Sequence, residues 1–434
     1  MYLKGSRLSM NRKRRRGNPL LIGFLLLMIA LFAYANIFVV PKIPPPFVPT
    51  PTITRSPESY QQEAEQLSAE GKFLAAIDAY QAAINVNPTN IQNYLHIARL
   101  QIQTRDYERA QINCENAILL DNQIADAYAL LGWAKAFQKD YLAGEQDVKR
   151  AIELDPNSAL AHSIYAHILG LRLEAGITDM NTQDQAIEQS RMAIALNSNL
   201  LEAHWARGYI LELTANYPEA ASEFEQAIAI NPNISNLHMA LGRNYFTLGR
   251  DDEAIFEFSR AFALDPTDPT PNYFISRVWA NGGEFAKAAQ YAEAAVRLDP
   301  ADPYLQAQLG TMYFRQGLYN QALPFLELAV IGGVDPSGVS VAPIPLAYGN
   351  SSIEIYSRYG IAMARINRCA EANALAQMML EGIADDANGV YNANEILKIC
   401  QENLTNPPTP TLAPTATPIT GPTSTPEPSA TPQS

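Results

Sequence analysis

The sequence predicts an all-α solenoid, and three observations carry that prediction. A unit of 34 residues recurs, so that Ala220, Phe224, Ala227 and Pro232 return as Ala254, Phe258, Ala261 and Pro266. The same pattern stands earlier as Ala76, Tyr80, Ala83 and Pro88. A fixed period of that length marks units that pack only on their neighbours, with function residing in a long surface. Small residues recur at fixed unit positions, which is what two closely crossing helices require. Strand-like alternation is nearly absent.

In chain order, residues 1–18 hold seven basic residues and no acid, and residues 19–40 follow with Asn36 as their only strongly polar member. At about 1.5 Å rise per residue this run covers a bilayer core of roughly 30 Å. It predicts an N-terminal transmembrane helix, a signal anchor whose basic flank stays cytoplasmic while everything after it faces the other side. A cleaved signal peptide competes, with an apolar region over 20–32 and Ala33-Tyr34-Ala35 as the cleavage site. Hydrophobicity that continues through Ile37, Phe38, Val39 and Val40 favours the uncleaved anchor. Both readings place the repeats outside the cytoplasm. Residues 41–56 form a Pro-rich, stiff spacer.

Eight units follow over residues 57–330, at 57–90, 91–124, 125–158, 159–200, 201–234, 235–268, 269–302 and 303–330. Unit position 27 is alanine in all of them: Ala83, Ala117, Ala151, Ala193, Ala227, Ala261, Ala295 and Ala329. Position 20 is alanine or Gly144, and position 8 is Ala, Gly or Ser, read as the small partner on the first helix that faces the alanines of the second. Pro88, Pro156, Pro232, Pro266 and Pro300 at position 32 stop the second helix. Unit 4 carries eight extra residues around 172–184, predicted as a protruding loop. Residues 331–352 form a Gly/Pro-rich break, read as a connector or as a lid over the groove. Residues 353–403 hold a degenerate ninth unit, with Tyr356, Gly360 and Ala372 in register, and a capping helix over 387–402. Residues 404–434 form a Pro/Thr-rich tail that cannot bury a core and is expected to be disordered.

Positions 4, 7, 8, 11, 20, 24, 27 and 32 together resemble the tetratricopeptide repeat (TPR) family over roughly residues 57–385. The resemblance implies a helix–turn–helix per unit, stacked into a right-handed superhelix with a concave binding groove. It also implies that the first helix of each unit lines that groove through positions 2, 5, 9, 12 and 13. Read onto this chain, those positions present Trp133, Phe137, Trp205, Tyr209, Phe246, Tyr273 and Phe314, interleaved with Arg99, Arg243, Arg277 and Arg315. Aromatics and arginines are the side chains that dominate interface energy. A Lys/Asn clamp for C-terminal carboxylates, known in some family members, is absent: its places include Gln61, Glu65, His96 and Leu130.

No catalytic, cofactor or metal motif is present. His162, His204 and His238 occupy position 4, the aromatic slot of Tyr60, Tyr94 and Tyr128, and read as packing rings. His96 and His167 lack a partner at ligand spacing. Cys114 sits in core position 24, whereas Cys369 and Cys400 meet if the last helices pack antiparallel, as a disulfide in an oxidising compartment. Residues 57–403 hold 43 acids against 22 Lys and Arg, a balance of −21, which argues against nucleic acid. The expected function is a non-catalytic, membrane-tethered scaffold that binds a protein or peptide in its groove, in a setting such as envelope assembly. One alternative is a secreted or surface protein whose Pro/Thr tail contacts cell-wall or glycan material. Another is an accessory subunit of a separate enzyme.

Overall fold

Each unit folds into two helices, A and B, because its apolar positions make one stripe per helix and a turn, of three residues in every unit but the fourth, separates them. The computed structural model of the protein describes residues 18–34, 37, 55–348 and 352–405. Units 1–4 are α2 (Pro57–Ala69) and α3 (Phe73–Val86), α4 (Ile91–Gln103) and α5 (Tyr107–Leu120), α6 (Ala125–Phe137) and α7 (Tyr141–Leu154), α8 (Ala159–Glu174) and α9 (Thr182–Leu196). Units 5–8 are α10 (Leu201–Leu213) and α11 (Tyr217–Ile230), α12 (Ser235–Thr247) and α13 (Asp251–Leu264), α14 (Thr270–Asn281) and α15 (Phe285–Leu298), α16 (Pro303–Arg315) and α17 (Tyr319–Val330). Unit 9 is α18 (Ser352–Arg365) and α19 (Cys369–Gly382), and α20 (Ala387–Thr405) caps the stack.

The turn between A and B has its middle residue in the left-handed region. Units 1, 6, 7 and 8 place glycine there, while Arg105, Lys139, Ala215 and Asn367 hold it at φ 64°, 68°, 60° and 66°. The B helices of units 1, 3, 5, 6 and 7 end just before the proline expected from sequence, but the proline is not the common stop. In units 1–7 the residue before it, an Asn or Asp, accepts the N–H two residues on, at 2.9–3.3 Å. This Asx turn ends the helix also in units 2 and 4, where Asn122 and Ser198 replace the proline.

The small residues of position 8 face position 20 of the second helix in units 3 and 8, as expected, but in units 5 and 6 they face a ring. A Cβ added to Gly208 would lie 2.9 Å from the Phe224 ring, and one on Gly242 2.6 Å from the Phe258 ring, both at position 24. Those rings are almost wholly buried and fill the helix crossing. In unit 3, where Val148 replaces the ring, Gly132 instead approaches the backbone of Gly144. From α4 to α18 successive A helices are in contact, more closely than neighbouring B helices, so the stack curves with the A helices inside.

The insertion in unit 4 is divided. Part of it extends α8 to 16 residues, and 175–181 form the loop, where Ile177 and Met180 are exposed and Arg172 holds Asp179 at 3.7 Å. The break after unit 8 contains a short antiparallel hairpin, β1 (Gly333–Val334) with β2 (Ser340–Val341). Beyond the hairpin the described break packs against α17 and α18. Ile344 is buried, its N–H bonds Ala329 O at 2.8 Å, and Tyr356 Oη donates to Ile344 O at 2.8 Å. Cys369 and Cys400 are joined in a disulfide with Cα atoms 5.4 Å apart, pinning α20 to the start of α19. Cys114 is free and buried, which pushes its thiol up.

Residues 1–56 form a separate unit. It contains α1 (Pro19–Tyr34), 16 residues, all exposed. Among the described residues no helix is long and apolar enough to cross a membrane. The rest of the expected span, 35–36 and 38–40, lies outside the described residues, as do residues 1–17, most of the spacer and the tail from 406.

Candidate protein-interaction surface

The curvature brings the first units back against the middle of the stack. Arg105, held in its left-handed turn, reaches Asp268 Oδ2 at 2.8 Å and Asn236 Oδ1 at 3.1 Å. Arg99 Nε meets Glu202 Oε1 at 3.2 Å, and Asn233 Nδ2 donates to Ala69 O at 2.9 Å. A Cβ on Gly71 would lie 2.8 Å from Asn233 Cβ, so the approach of the two turns also calls for glycine there. The seam is polar and loosely filled. Cavities of about 580, 390 and 330 Å³ lie along it, and Arg105 borders the first two. Units 1 and 2 are thus clasped to units 5 and 6 by four polar contacts and not by a continuous core.

Inside the clasp, rings from consecutive A helices pack on one another. Trp133 meets Trp205 with centroids 5.4 Å apart, and His167 stands between Trp205 (5.6 Å) and Tyr209 (4.7 Å). Phe137 stacks on Tyr107 at 4.9 Å. Burial lowers the His167 pKa to about 3, so its imidazole is a neutral member of the column. Burial likewise pushes the Tyr209 phenol up. The arginines here are matched by acids: Arg243 holds Glu212 through two bonds of 2.9 and 3.1 Å, as Arg99 holds Glu202. Six of the eleven residues singled out from sequence therefore fall within the clasped turn: Arg99, Trp133, Phe137, Trp205, Tyr209 and Arg243. In this closed arrangement Trp133, Trp205 and Tyr209 are 2%, 7% and 8% exposed and face one another, not an open groove.

The other five, Phe246, Tyr273, Arg277, Phe314 and Arg315, lie further along, on α12, α14 and α16. Their rings are half-buried and their arginines exposed. Arg277 lies 5.8 Å from the Phe246 and Tyr273 centroids and 5.5 Å from that of Phe274; Arg315 lies 5.9 Å from that of Phe285. Neither guanidinium has a carboxylate partner among the described residues. The same is true of exposed Arg365 on α18, which occupies the unit position of Arg315.

Three residues escaped the sequence reading. His167 and Arg365 occupy positions 9 and 13, so the register contained the signal for both, although the degenerate ninth unit obscured the second. Nothing local marks Arg105, whose partners lie more than 130 residues away. The position-4 histidines also do more than pack. Their Nε2 atoms contact Pro156 O (3.0 Å), Ser198 O (2.8 Å) and Pro232 O (2.9 Å), the role that Tyr94 Oη plays on Pro88 O at 3.1 Å. Each ring thus ties its unit to the preceding one. No group of three or more His, Cys, Asp or Glu among the described residues is arranged to hold a metal ion.

An array of helical hairpins whose A helices form the inner surface defines an α-solenoid, a class that works by presenting a surface. Tetratricopeptide repeat models match residues 91–124 and 125–158, 214–274, and 274–336. The chain is a tetratricopeptide repeat protein. It is 22% identical over 145 residues to human tetratricopeptide repeat protein 12, covering 33% of this chain and 20% of that one. It is 30% identical over 98 residues to the E3 ubiquitin-protein ligase CHIP of Arabidopsis thaliana, covering 21% of this chain and 35% of that one. The chain thus matches only a fifth to about a third of the length of these relatives. Among solved structures, PilW, described as a type IV pilus biogenesis factor, is similar at 18% identity and TM-score 0.43, over 48% of this chain and 92% of that one. MamA is similar at 19% identity and TM-score 0.33, over 39% of this chain and 95% of that one.

Proposed function

We propose that this chain is a non-catalytic scaffold, tethered to a membrane through residues 19–40, whose repeats capture a protein segment outside the cytoplasm, in the cell envelope. The capture surface in this reading is the inner face of units 6–9. One observation carries it: in a body of −21, that face keeps exposed arginines beside half-buried rings with no internal acid to satisfy them. Such side chains are costly to leave idle and rewarding to cover. The tether is supported by the apolar run, the basic flank before it and the exposure of every described residue of α1.

A photo-crosslinking amino acid placed at Phe314 or Tyr273 in the full chain should capture a partner, and one at an outward position such as Gln111 should not. Equal capture at both sites would refute the surface. Recovery from carbonate-washed membranes with residue 1 or 2 as the N-terminus is expected for the tether; a mature chain starting at Asn36 would sink it. That outcome would favour the second reading, a released or surface-attached protein, which rests on the 17 Pro or Thr among residues 406–434.

A further inference from the structure

The inner positions of the A helices reverse their charge along the stack. In units 1–5, positions 2, 5, 9, 12 and 13 hold five acids (Glu58, Glu65, Asp126, Glu202, Glu212) and one base, Arg99. In units 6–9 the same positions hold four arginines, Arg243, Arg277, Arg315 and Arg365, and one acid, Glu354. The structure removes the counter-charges that could have balanced the second set. Arg243 is turned back onto Glu212, and Glu354 is taken by Arg358 on its own helix at 2.5 Å. Arg277, Arg315 and Arg365 remain, one on each of three consecutive A helices that touch in sequence.

These three cations stand against the trend of the whole body, where acids outnumber bases about two to one. Arg277 is supported by rings and not by carboxylates, which keeps its in-plane donors available while fixing the guanidinium plane. Arg315 also faces another cation. Burial is the main cause that lowers the Arg358 pKa, and the charge of Arg315 lowers it further, against the pull of Glu354. Glu354, the acid beside this pair, is already held by Arg358, which leaves Arg315 a cation that an incoming anion would relieve.

We infer that the segment bound by units 6–9 is a short acidic peptide, dense in Asp and Glu, laid across α14, α16 and α18. This inference rests on the capture surface proposed above. Neighbouring A helices lie about 10 Å apart, so three span about 20 Å, the length of roughly six extended residues. Carboxylates meet planar guanidinium forks in charge-assisted pairs, and the half-buried rings take the intervening side chains. Glu58, Glu65 and Asp126, the acids at the inner positions of units 1–3, would repel the same peptide and so favour its placement at the other end of the stack.

The test uses the full chain and three fluorescein-labelled probes, hexaglutamate, hexaglutamine and hexalysine, read by anisotropy at low and physiological salt. Hexaglutamate should bind at least tenfold more tightly than hexaglutamine, despite the negative body, and weaken with salt. Arg277→Ala and Arg315→Ala should each cost about five- to tenfold, and Arg315→Glu more, because each removes a charge-assisted contact at a partly exposed site. These side chains are exposed, so an unchanged circular dichroism melt verifies the fold. Hexaglutamate binding no tighter than hexaglutamine, or indifferent to all three variants, overturns the inference. If hexaglutamine or hexalysine binds instead and loses affinity in Phe314→Ala, the capture surface stands and only its acidic specificity falls. Absence of partner crosslinks from Phe314 and Tyr273 would remove the surface itself, and the inference with it.

Discussion

Replacing Arg105 by glycine separates two effects that coincide at one residue. Arg105 is held at φ 64°, a conformation that costs a side-chain-bearing residue about 1 kcal/mol and glycine little. Arg105→Gly therefore relieves local strain in unit 2. It also removes the contacts to Asp268 and Asn236 that join the turns. Asp268 is 3% exposed in its side chain, but Arg105 is 48% exposed, so screening limits the pair to about 1–2 kcal/mol. The two terms nearly cancel in overall stability. They do not cancel in shape, because only the ion pair belongs to the closed turn: a loss of that size lowers the closed-to-open ratio about 5- to 30-fold. Acrylamide quenching of Trp133 and Trp205, in a Trp279→Phe background, should rise, and the small-angle scattering radius should grow, while the melting temperature stays nearly constant. Adding Arg99→Ala should extend both changes. Asp268 supplies a pH check. Burial pushes its carboxyl up, but the bonds from Thr270 and the Arg105 charge outweigh it and hold it below the usual range. A depressed carboxyl contributes closure above its unfolded value of about 3.9 and loses it as pH falls through the folded value, so the wild-type turn should open only below about pH 4. Quenching and scattering unchanged in the Arg99/Arg105 double variant would refute the clasp.

Three further outcomes follow from the packing. His167 titrates near 3 when folded, so the unfolded chain binds its proton first; stability of units 3–5 should fall as pH drops below about 6.5, by up to roughly 5 kcal/mol, and His167→Phe should flatten that slope in pH-dependent hydrogen exchange. A Cβ on Gly242 would meet the Phe258 ring at 2.6 Å, so Gly242→Val should cost about 1–3 kcal/mol by overpacking and lower the calorimetric transition. The Cys369–Cys400 disulfide closes a loop of 31 residues, and its reduction should cost the cap about 3–4 kcal/mol, seen as faster proteolysis within α20 and not within α4–α13.

The register was legible because packing in a repeat is local: Ala227 and Phe224 need only their own A helix and its neighbour. The same locality placed the position-4 histidines and located the break after unit 8. What escaped was how the register is physically enforced. Asn122 and Ser198 do not look like helix stops, because the stop is an Asx turn made by the residue before them. In units 5 and 6 position 8 is glycine because of a ring at position 24, a pairing that requires the crossing geometry.

By itself the sequence determined the helices, their order, the hairpin unit and the inner positions of each A helix, since all are set by side chains within one or two units of each other. Only the tertiary structure decided how tightly the stack winds. Small differences in crossing angle accumulate over several units and have no local signature. That accumulated curvature carries Arg105 to Asp268 across 163 residues and Arg99 to Glu202, and so closes the turn around the Trp133–Trp205 column. The aromatic–arginine stripe, continuous in sequence, is thereby divided into a clasped column and an open cationic face.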